Sequence, residues 1–196
     1  YKKLNDVLTK KGLNGLIFDT LFDFSDLLEN NNSCYLTNGI DDLKKLETNS
    51  IDFVFSQATL EHIAFYDFIA TQEQIHRILK PSGIVSHNID LRDHLDVSLN
   101  NLRFSERIWE SDLMAKSGFY TNRIRYSEML AIFKKTGFKV DATIIETWDK
   151  LPIPRSKLSH DFRHLSDKDL CVSVFDVLLN KSISIWSANN FAEILL

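Results

Sequence analysis

One short stretch of the chain carries four side chains that can transfer protons or bind ions: His87, Asp90, Asp93 and His94. A histidine oriented by a carboxylate can accept a proton from an attacking hydroxyl or amine near neutral pH. This spacing predicts His87, Asp90 and His94 as catalytic residues on the substrate side. A metal site is one open alternative. The other is a polar loop whose acids pair with Arg92 and Arg103.

A second candidate is Glu61-His62, which follows an apolar segment closely. These two side chains either line the mouth of a ligand site or begin an exposed turn. A third candidate interleaves basic and aromatic side chains, a composition that can bind phosphate, glycan or nucleic acid. The alternative is a helical lid in which the aromatic side chains pack and the arginines form ion pairs with nearby acidic residues. The set comprises Arg103, Arg107, Trp109, Phe119, Tyr120, Arg123 and Arg125.

A strand–helix–strand unit is predicted to position these groups. Residues 51–55 are apolar and rich in β-formers, residues 67–79 have helical spacing, and residues 84–89 resemble a second strand. Pro81 ends the helix, because proline disfavours helical geometry in the residue before it. The order predicts a parallel βαβ unit. Ligands of such sheets bind outside the carboxyl ends of the strands, which are Gly39–Asp42, Ser56-Gln57 and 87–90.

The remaining pattern completes an α/β chain. We expect helices over 1–11, 20–29 and 100–118, and a short strand over 34–37. Tyr126, Met129, Leu130 and Phe133 have the spacing of a helix, which Gly137 would cap. Residues 139–147 and 171–179 are predicted strands without a long helix between them, which favours an antiparallel pair at the end of the sheet.

Composition excludes several protein classes. The 196 residues are 44% hydrophobic and 26% charged, with a net charge of −4. These values are typical of a globular domain and exclude a disordered chain or a disulfide scaffold. The acidic balance argues against a nucleic-acid partner, and no apolar run is long enough for a membrane span. The two cysteines, Cys34 and Cys171, suggest a reducing cytoplasmic setting.

Two motifs in this frame resemble the class I S-adenosylmethionine-dependent methyltransferases, in particular the methyltransferase type 11-like domain. The first is Ser50-Ile-Asp-Phe-Val-Phe-Ser-Gln-Ala-Thr-Leu-Glu-His-Ile63, similar to the family's strand and "LEH" segment. The second is Ile78-Leu-Lys-Pro-Ser-Gly-Ile84, similar to "LKPGG". The resemblance covers about residues 35–180. It implies a Rossmann-like methyltransferase sheet with an antiparallel final strand.

The resemblance also implies a cofactor, S-adenosyl-L-methionine, and residues that bind it. In the family, an acidic residue after the third strand lies beside the adenine, and Asp41 and Asp42 stand in that neighbourhood. The cofactor-binding residues predicted there are Asp41 and the nearby Gly39. A gapless alignment, however, places Ile40 where that acid usually stands. The turn after the fourth strand presents carbonyl groups to the cofactor, which points to Ser56 and Gln57. The predicted acceptor is a small molecule or a glycan.

The N-terminal part of the sequence departs from the family pattern. The glycine-rich loop and the acid that ends the second strand are missing, and Gly12-Leu13-Asn14-Gly15 lacks the flanking strand and helix such a loop requires. We therefore expect an N-terminally truncated, partial methyltransferase domain over 1–181, with a helical insert at about 95–125 and a tail over 182–196. Since the first residue is Tyr, we expect a piece of a complete enzyme. A non-catalytic binding module with a degenerate methyltransferase fold is the alternative.

Overall fold

The computed structural model describes residues 2–12 and 23–181. The chain divides into two units, Tyr1–Asp42 and Leu43–Leu196. The predicted helix start at 20–22 and the tail at 182–196 lie outside the described residues. The two units are taken one at a time below.

The first unit contains short helices. α1 spans Lys2–Lys10 and is followed by Gly12, whose φ of +71° ends the helix as predicted. α2 spans Phe24–Asn30, and the Asp23 carboxylate caps it by accepting from the Asp26 amide. α3, Ile40–Lys45, begins after Gly39 and continues into the second unit.

The strand predicted over 34–37 is wrong. A strand requires a neighbouring strand to complete its hydrogen bonds, and residues 34–37 are not paired in a sheet. The amides of Thr37 and Asn38 instead donate to the Asp42 carboxylate, at 3.0 and 2.9 Å. A side-chain acceptor therefore replaces a sheet ladder here.

The second unit begins with the predicted βαβ arrangement. β1 spans Ile51–Gln57, α4 spans Phe65–Ile78 and β2 spans Leu79–Asp90. The two strands pair in parallel, with Phe53 opposite Ile84 and Gln57 opposite Asn88. α4 buries Phe68, which packs on the core side of the sheet. This confirms the predicted parallel unit.

Pro81 does not lie between the helix and the strand but inside β2. The register shifts at this point, because Ile51 pairs with Leu79 while Phe53 pairs with Ile84. Proline cannot donate to a sheet ladder and is therefore tolerated at such a bulge. Gly83 follows in the bulge, and a Cβ there would lie 2.7 Å from the Leu79 Cδ1 atom.

Four strands form one sheet in the order β1-β2-β4-β3. β3 spans Phe138–Thr147 and β4 spans Val172–Lys181, and β4 pairs antiparallel with both β2 and β3. α7, Tyr126–Lys135, precedes β3 and ends at Gly137, whose φ is +97°. The predicted α/β class and the antiparallel final strand are confirmed.

The two faces of the sheet differ. One face packs against α4 and α7 in a core that includes Leu79, Val85, Met129, Phe133 and Phe175. Successive side chains of a strand alternate between the two faces of the sheet. Phe53 and Phe55 therefore point to the other face, where their rings stack with centroids 6.0 Å apart. These two rings are 57% and 73% exposed.

The helix predicted over 100–118 is wrong as a continuous element. This stretch contains a 3₁₀ turn, Asn100–Arg103, and two single-turn helices, α5 at Glu106–Trp109 and α6 at Asp112–Ala115. The hydroxyls of Ser111 and Ser117 donate to carbonyls three residues earlier and compete with helix continuation.

The long connection between β3 and β4 packs on the stretch that follows β2. It contains 3₁₀ turns at Arg155–Lys157 and His160–Phe162, and the short helix α8, Asp167–Leu170. Its Ile153, Leu158 and Leu170 form a second apolar cluster with Leu99 and Leu102. We call residues 91–125 and 148–171 the two edge segments.

Candidate functional site

The strand directions bring both edge segments to one edge of the sheet. β1 and β2 are parallel and end there at Gln57 and Asp90. β4 runs the opposite way, so its start at Val172 lies at the same edge, opposite the end of β3 at Thr147. This carboxyl edge is where an α/β sheet binds its ligands.

Ser56 and His87 meet across the first two strands. They are direct partners in the parallel register, and the Ser56 hydroxyl lies 2.7 Å from His87 Nδ1. The His87 side chain is only 2% exposed and stacks on Phe133, with ring centroids 6.3 Å apart. Burial lowers the pKa of His87 to about 4, which keeps the imidazole neutral near pH 7.

Gln57 and the turn that follows it lie beside this pair. Ala58 has a φ of +45°, and its amide donates to the Asn88 carbonyl at 3.0 Å, which fixes the end of β1 against β2. The Thr59 hydroxyl donates to the Gln57 carbonyl at 2.9 Å. An open pocket with a volume of about 570 Å³ is lined by several residues, including Ser56, Gln57 and His87.

The predicted residues Gly39 and Asp41 belong to the first unit, whereas Ser56 and Gln57 belong to the second. Gly39 has a φ of +54°, the left-handed region that glycine adopts easily. Asp41 lies exposed in the first turn of α3.

Asp90 forms an ion pair at the end of β2. The Arg92 guanidinium donates to both carboxylate oxygens, with the shortest distance 2.7 Å, and also lies 3.5 Å from Glu146. Burial alone would raise the pKa of Asp90, but the hydrogen bonds from Arg92 outweigh burial and hold that pKa below its usual value. Asp90 is therefore ionised near neutral pH.

Asp93 has a structural role. Its carboxylate accepts from the amides of Leu95, Asp96 and Asn100, while its own amide donates to the Ser98 carbonyl. These bonds close the loop that follows β2. Among the described residues, His, Cys, Asp and Glu form no group of three that could hold a metal ion.

His94 is exposed at this edge and contacts the "LEH" segment. Its ring meets the edge of the His62 ring, with centroids 4.9 Å apart at 83°. His62 Nδ1 lies 3.1 Å from the Tyr120 carbonyl. The tertiary structure thus joins two motifs that are 32 residues apart in sequence.

Glu61 is the titratable group to which the sequence assigned no definite role. It is 3% exposed and its Oε2 atom lacks a hydrogen-bond partner. Burial is the main reason that the pKa of Glu61 rises to about 7, and the charge of Asp90 adds to it. An adjacent histidine and a strand end were the available sequence signals, but burial could not be inferred from them.

The four arginines of the interleaved set separate into two kinds. Arg103 and Arg107 are exposed, whereas Arg123 and Arg125 are buried. Arg125 donates to the carbonyls of Leu91, Leu170 and Val172 and so ties the two edge segments together. The predicted pairing of arginine with an acid is therefore correct for Arg123, which lies 3.6 Å from Glu110, whereas Arg125 binds carbonyls instead.

Comparison with known proteins was consistent with this arrangement. Residues 21–86, which include β1, α4 and the Gly83 bulge, match the family model of a methyltransferase domain. No curated protein matches the chain. In the described residues, no helix is both long and apolar enough to cross a membrane.

Several solved structures of S-adenosylmethionine-dependent methyltransferases have a similar fold. One from Archaeoglobus fulgidus has 15% identity and a TM-score of 0.47, covering 92% of this chain and 81% of its own. One from Methanosarcina mazei has 13% identity and a TM-score of 0.45, covering 71% and 63%. A Haemonchus contortus phosphoethanolamine N-methyltransferase with bound S-adenosyl-L-methionine has 19% identity and a TM-score of 0.42, covering 71% and 35%.

The family match coincides with the parallel β1–α4–β2 unit and with the bulge that the Lys80-Pro81-Ser82-Gly83 motif forms. Residues 21–86 of this chain therefore resemble a methyltransferase domain.

Proposed function

We propose that this protein transfers a methyl group from S-adenosylmethionine to a nucleophilic oxygen, nitrogen or carbon of a small-molecule or glycan-type acceptor. The observation that carries the proposal is the parallel β1–β2 pair, whose carboxyl ends lie under the two edge segments. The cofactor supplies an electrophilic methyl group. The acceptor attacks that group in line and loses a proton, so orientation by the protein provides much of the rate.

We assign cofactor binding to Gly39, Asp41, Ser56 and Gln57. Ser56 already contacts His87 and fixes the end of β1. Gln57 is exposed beside the turn and has its side chain available to a ligand. In the cofactor, a sulfonium and an ammonium group carry positive charge, so a carboxylate such as Asp41 is a favourable neighbour.

On the substrate side we assign Asp90 and His94, with His87 behind them. His94 is exposed, and its charge is one of the influences that lower the pKa of Asp90. This pair fits the acceptance of a proton from the substrate. His87 is buried, so its part in the proposal is to hold Ser56 through their hydrogen bond.

Calorimetric titration of S-adenosylmethionine into the protein tests the cofactor proposal. We expect saturable heat, a rise in melting temperature, and weaker binding for Gln57→Ala and Asp41→Ala than for the control Ser82→Ala. Absence of heat and of a thermal shift at about 1 mM cofactor would favour the rival, a non-catalytic module with the same fold.

Substitution of the histidines tests proton transfer. We expect His94→Ala to lower kcat, with part of the loss recovered as the pH rises, because a higher pH deprotonates the acceptor without a base. His87→Ala should change stability more than the pH profile, since the ring is buried. Unchanged turnover in both variants would remove the proton-transfer assignment.

The cellular location and the partners of the protein are part of the same proposal. Cys34 and Cys171 are both free thiols, and we place the protein in the cytoplasm, where thiols stay reduced. The partners we expect are the acceptor and the cofactor, without nucleic acid or membrane.

A further inference from the structure

A cavity of about 370 Å³ lies at the carboxyl edge, where the two edge segments meet the starts of α4 and α7. Its volume is near the lower end of small-molecule sites, which is roughly 300 Å³. The rings of Phe65 and Phe162 contribute apolar wall, and Asn122 and Arg123 contribute polar groups. None of these residues belongs to the proposed cofactor or proton-transfer sites.

Arg123 is the buried cation of this cavity. Its guanidinium lies between two rings, 5.5 Å from the Trp109 centroid and 5.1 Å from that of Phe162. Nη1 donates to the Phe104 carbonyl at 2.8 Å. The side chain is 4% exposed, and Nε lacks an acceptor. Nε is enclosed, so a ligand oxygen would meet the part of the Arg123 side chain that lines the cavity.

The backbone at Arg123 shows that this placement is enforced. Its φ of +60° is uncommon for a residue other than glycine. The neighbouring Asn122 holds the chain on both sides, since its Nδ2 donates to the carbonyls of Leu60 and Ile63 and its Oδ1 accepts from the Ile124 amide. The cavity wall is therefore preorganised by the same segment that follows β1.

The charge of Arg123 is already balanced by Glu110, whose Oε1 lies 3.6 Å from Nη2 and whose side chain is 9% exposed. Three further carboxylates line the cavity: Glu106, Glu128 and Asp161. The remaining titratable group in the wall is His164. The cavity therefore has an excess of negative charge, which favours a cation and opposes a phosphate or carboxylate ligand.

We propose that this cavity binds a small organic amine that also carries hydroxyl or carbonyl oxygens, with its ammonium group toward the carboxylates and an oxygen toward the Arg123 side chain. The size matches a monosaccharide amine, and the two phenyl rings offer contact to its apolar C–H faces. The inference goes beyond the proposed methyl transfer and stands without it, because it requires neither cofactor nor turnover.

Three probes separate the chemistry, each titrated into the chain without cofactor and followed by amide chemical shifts. They are glucosamine, its uncharged counterpart glucose, and cyclohexylamine, which keeps the amine and the ring size but has no oxygen. We expect glucosamine to bind about tenfold more tightly than either of the others at low salt, with shifts at Asn122 and Phe162. Added salt should weaken only the two amines.

Asp161→Asn and Glu128→Gln should each reduce glucosamine affinity several-fold and leave glucose unchanged. Asp149→Asn removes an exposed carboxylate outside the cavity and is the matched control. Equal binding of glucose and glucosamine, unchanged affinity in both cavity variants, or no binding of glucosamine at about 10 mM would overturn the proposal. Cyclohexylamine binding as tightly as glucosamine would remove the role assigned to Arg123.

Discussion

At the scale of residues, burial shifts the pKa values of two titratable groups near the ends of the parallel strands in opposite directions, and both shifts favour the neutral form. Burial disfavours the cation of His87 and lowers its pKa to about 4, and it disfavours the anion of Glu61 and raises its pKa to about 7. Both groups are almost fully buried, at 2% and 3% exposure. The carboxyl edge of the sheet is therefore less charged near pH 7 than the sequence suggests.

Glu61→Gln should stabilise the protein above neutral pH. A raised folded-state pKa means that the contribution of Glu61 to the free energy of unfolding is fully present below pH 4.5 and is lost as the pH rises through about 7. The difference between those two pKa values is worth about 3 kcal/mol at high pH. Urea unfolding across this range should therefore show a flatter pH profile for the variant.

The control for that measurement is Glu73→Gln, which removes an exposed carboxylate from α4. Its pH profile should follow that of the parent chain. If Glu61→Gln gave the same pH profile as Glu73→Gln, the Glu61 carboxyl would be ionised and solvated in the folded state, against the burial described above.

Gly83→Ala should destabilise the bulge. The added Cβ would lie 2.7 Å from Leu79 Cδ1 and 3.1 Å from the Asp52 carbonyl, and Leu79 is itself fully buried. Overpacking of this kind costs about 1–3 kcal/mol. Thermal and urea unfolding measure the loss, and Ser82→Ala at the exposed neighbouring position should change stability little. Equal stability of the two variants would contradict the close packing.

At the scale of elements, the edge segments contain no long helix and are held together by their shared apolar cluster and by buried polar contacts. Arg125 supplies three of these contacts, one to the segment that follows β2 and two to the chain that enters β4. Burial lowers the pKa of Arg125 to about 10, yet the group remains charged at neutral pH. Its hydrogen bonds to carbonyls offset the cost of that burial.

Arg125→Met should therefore lower the free energy of unfolding by about 3 kcal/mol or more, because three buried carbonyls lose their donor. Arg125→Lys should recover part of the loss, since an ammonium group can reach fewer of them. Hydrogen exchange should show the largest loss of protection at residues 91 and 170–172. Arg103→Met is the exposed control, and a similar effect from it would contradict the tethering role.

At the scale of the whole molecule, the two faces of the sheet are unequally covered. α4 and α7 pack on one face, whereas Phe53, Phe55, Ile84 and Leu178 are exposed on the strands. Exposed apolar residues that adjoin one another are typical of interaction surfaces or aggregation sites.

Replacing Phe53 and Phe55 together by Ser should reduce concentration-dependent self-association, since the two rings are exposed and stack on each other. Sedimentation velocity at increasing concentration measures the effect. Stability should change little, because the rings bury little surface against the core. A sedimentation profile identical to that of the parent chain would show that this face does not mediate association.

The sequence by itself determined the elements whose signal is local. The β-formers of 51–55, the helical spacing of Tyr126–Phe133 and the turn at Gly137 depend on neighbours within a few residues, and these predictions were confirmed. The family motifs lie in β1 with the 3₁₀ turn Leu60–His62 that follows it, and in the bulge of β2. A strand over 34–37 failed because pairing depends on a partner that local sequence does not specify.

Only the tertiary structure decided which polar groups meet. The parallel register places Ser56 on His87, and the loop after β2 brings His94 to His62. Burial then separates Arg125, which holds carbonyls, from Arg103, which faces solvent. Contacts and desolvation depend on chain segments far apart in sequence, so residue type and spacing could nominate these groups but could not assign their protonation or their partners.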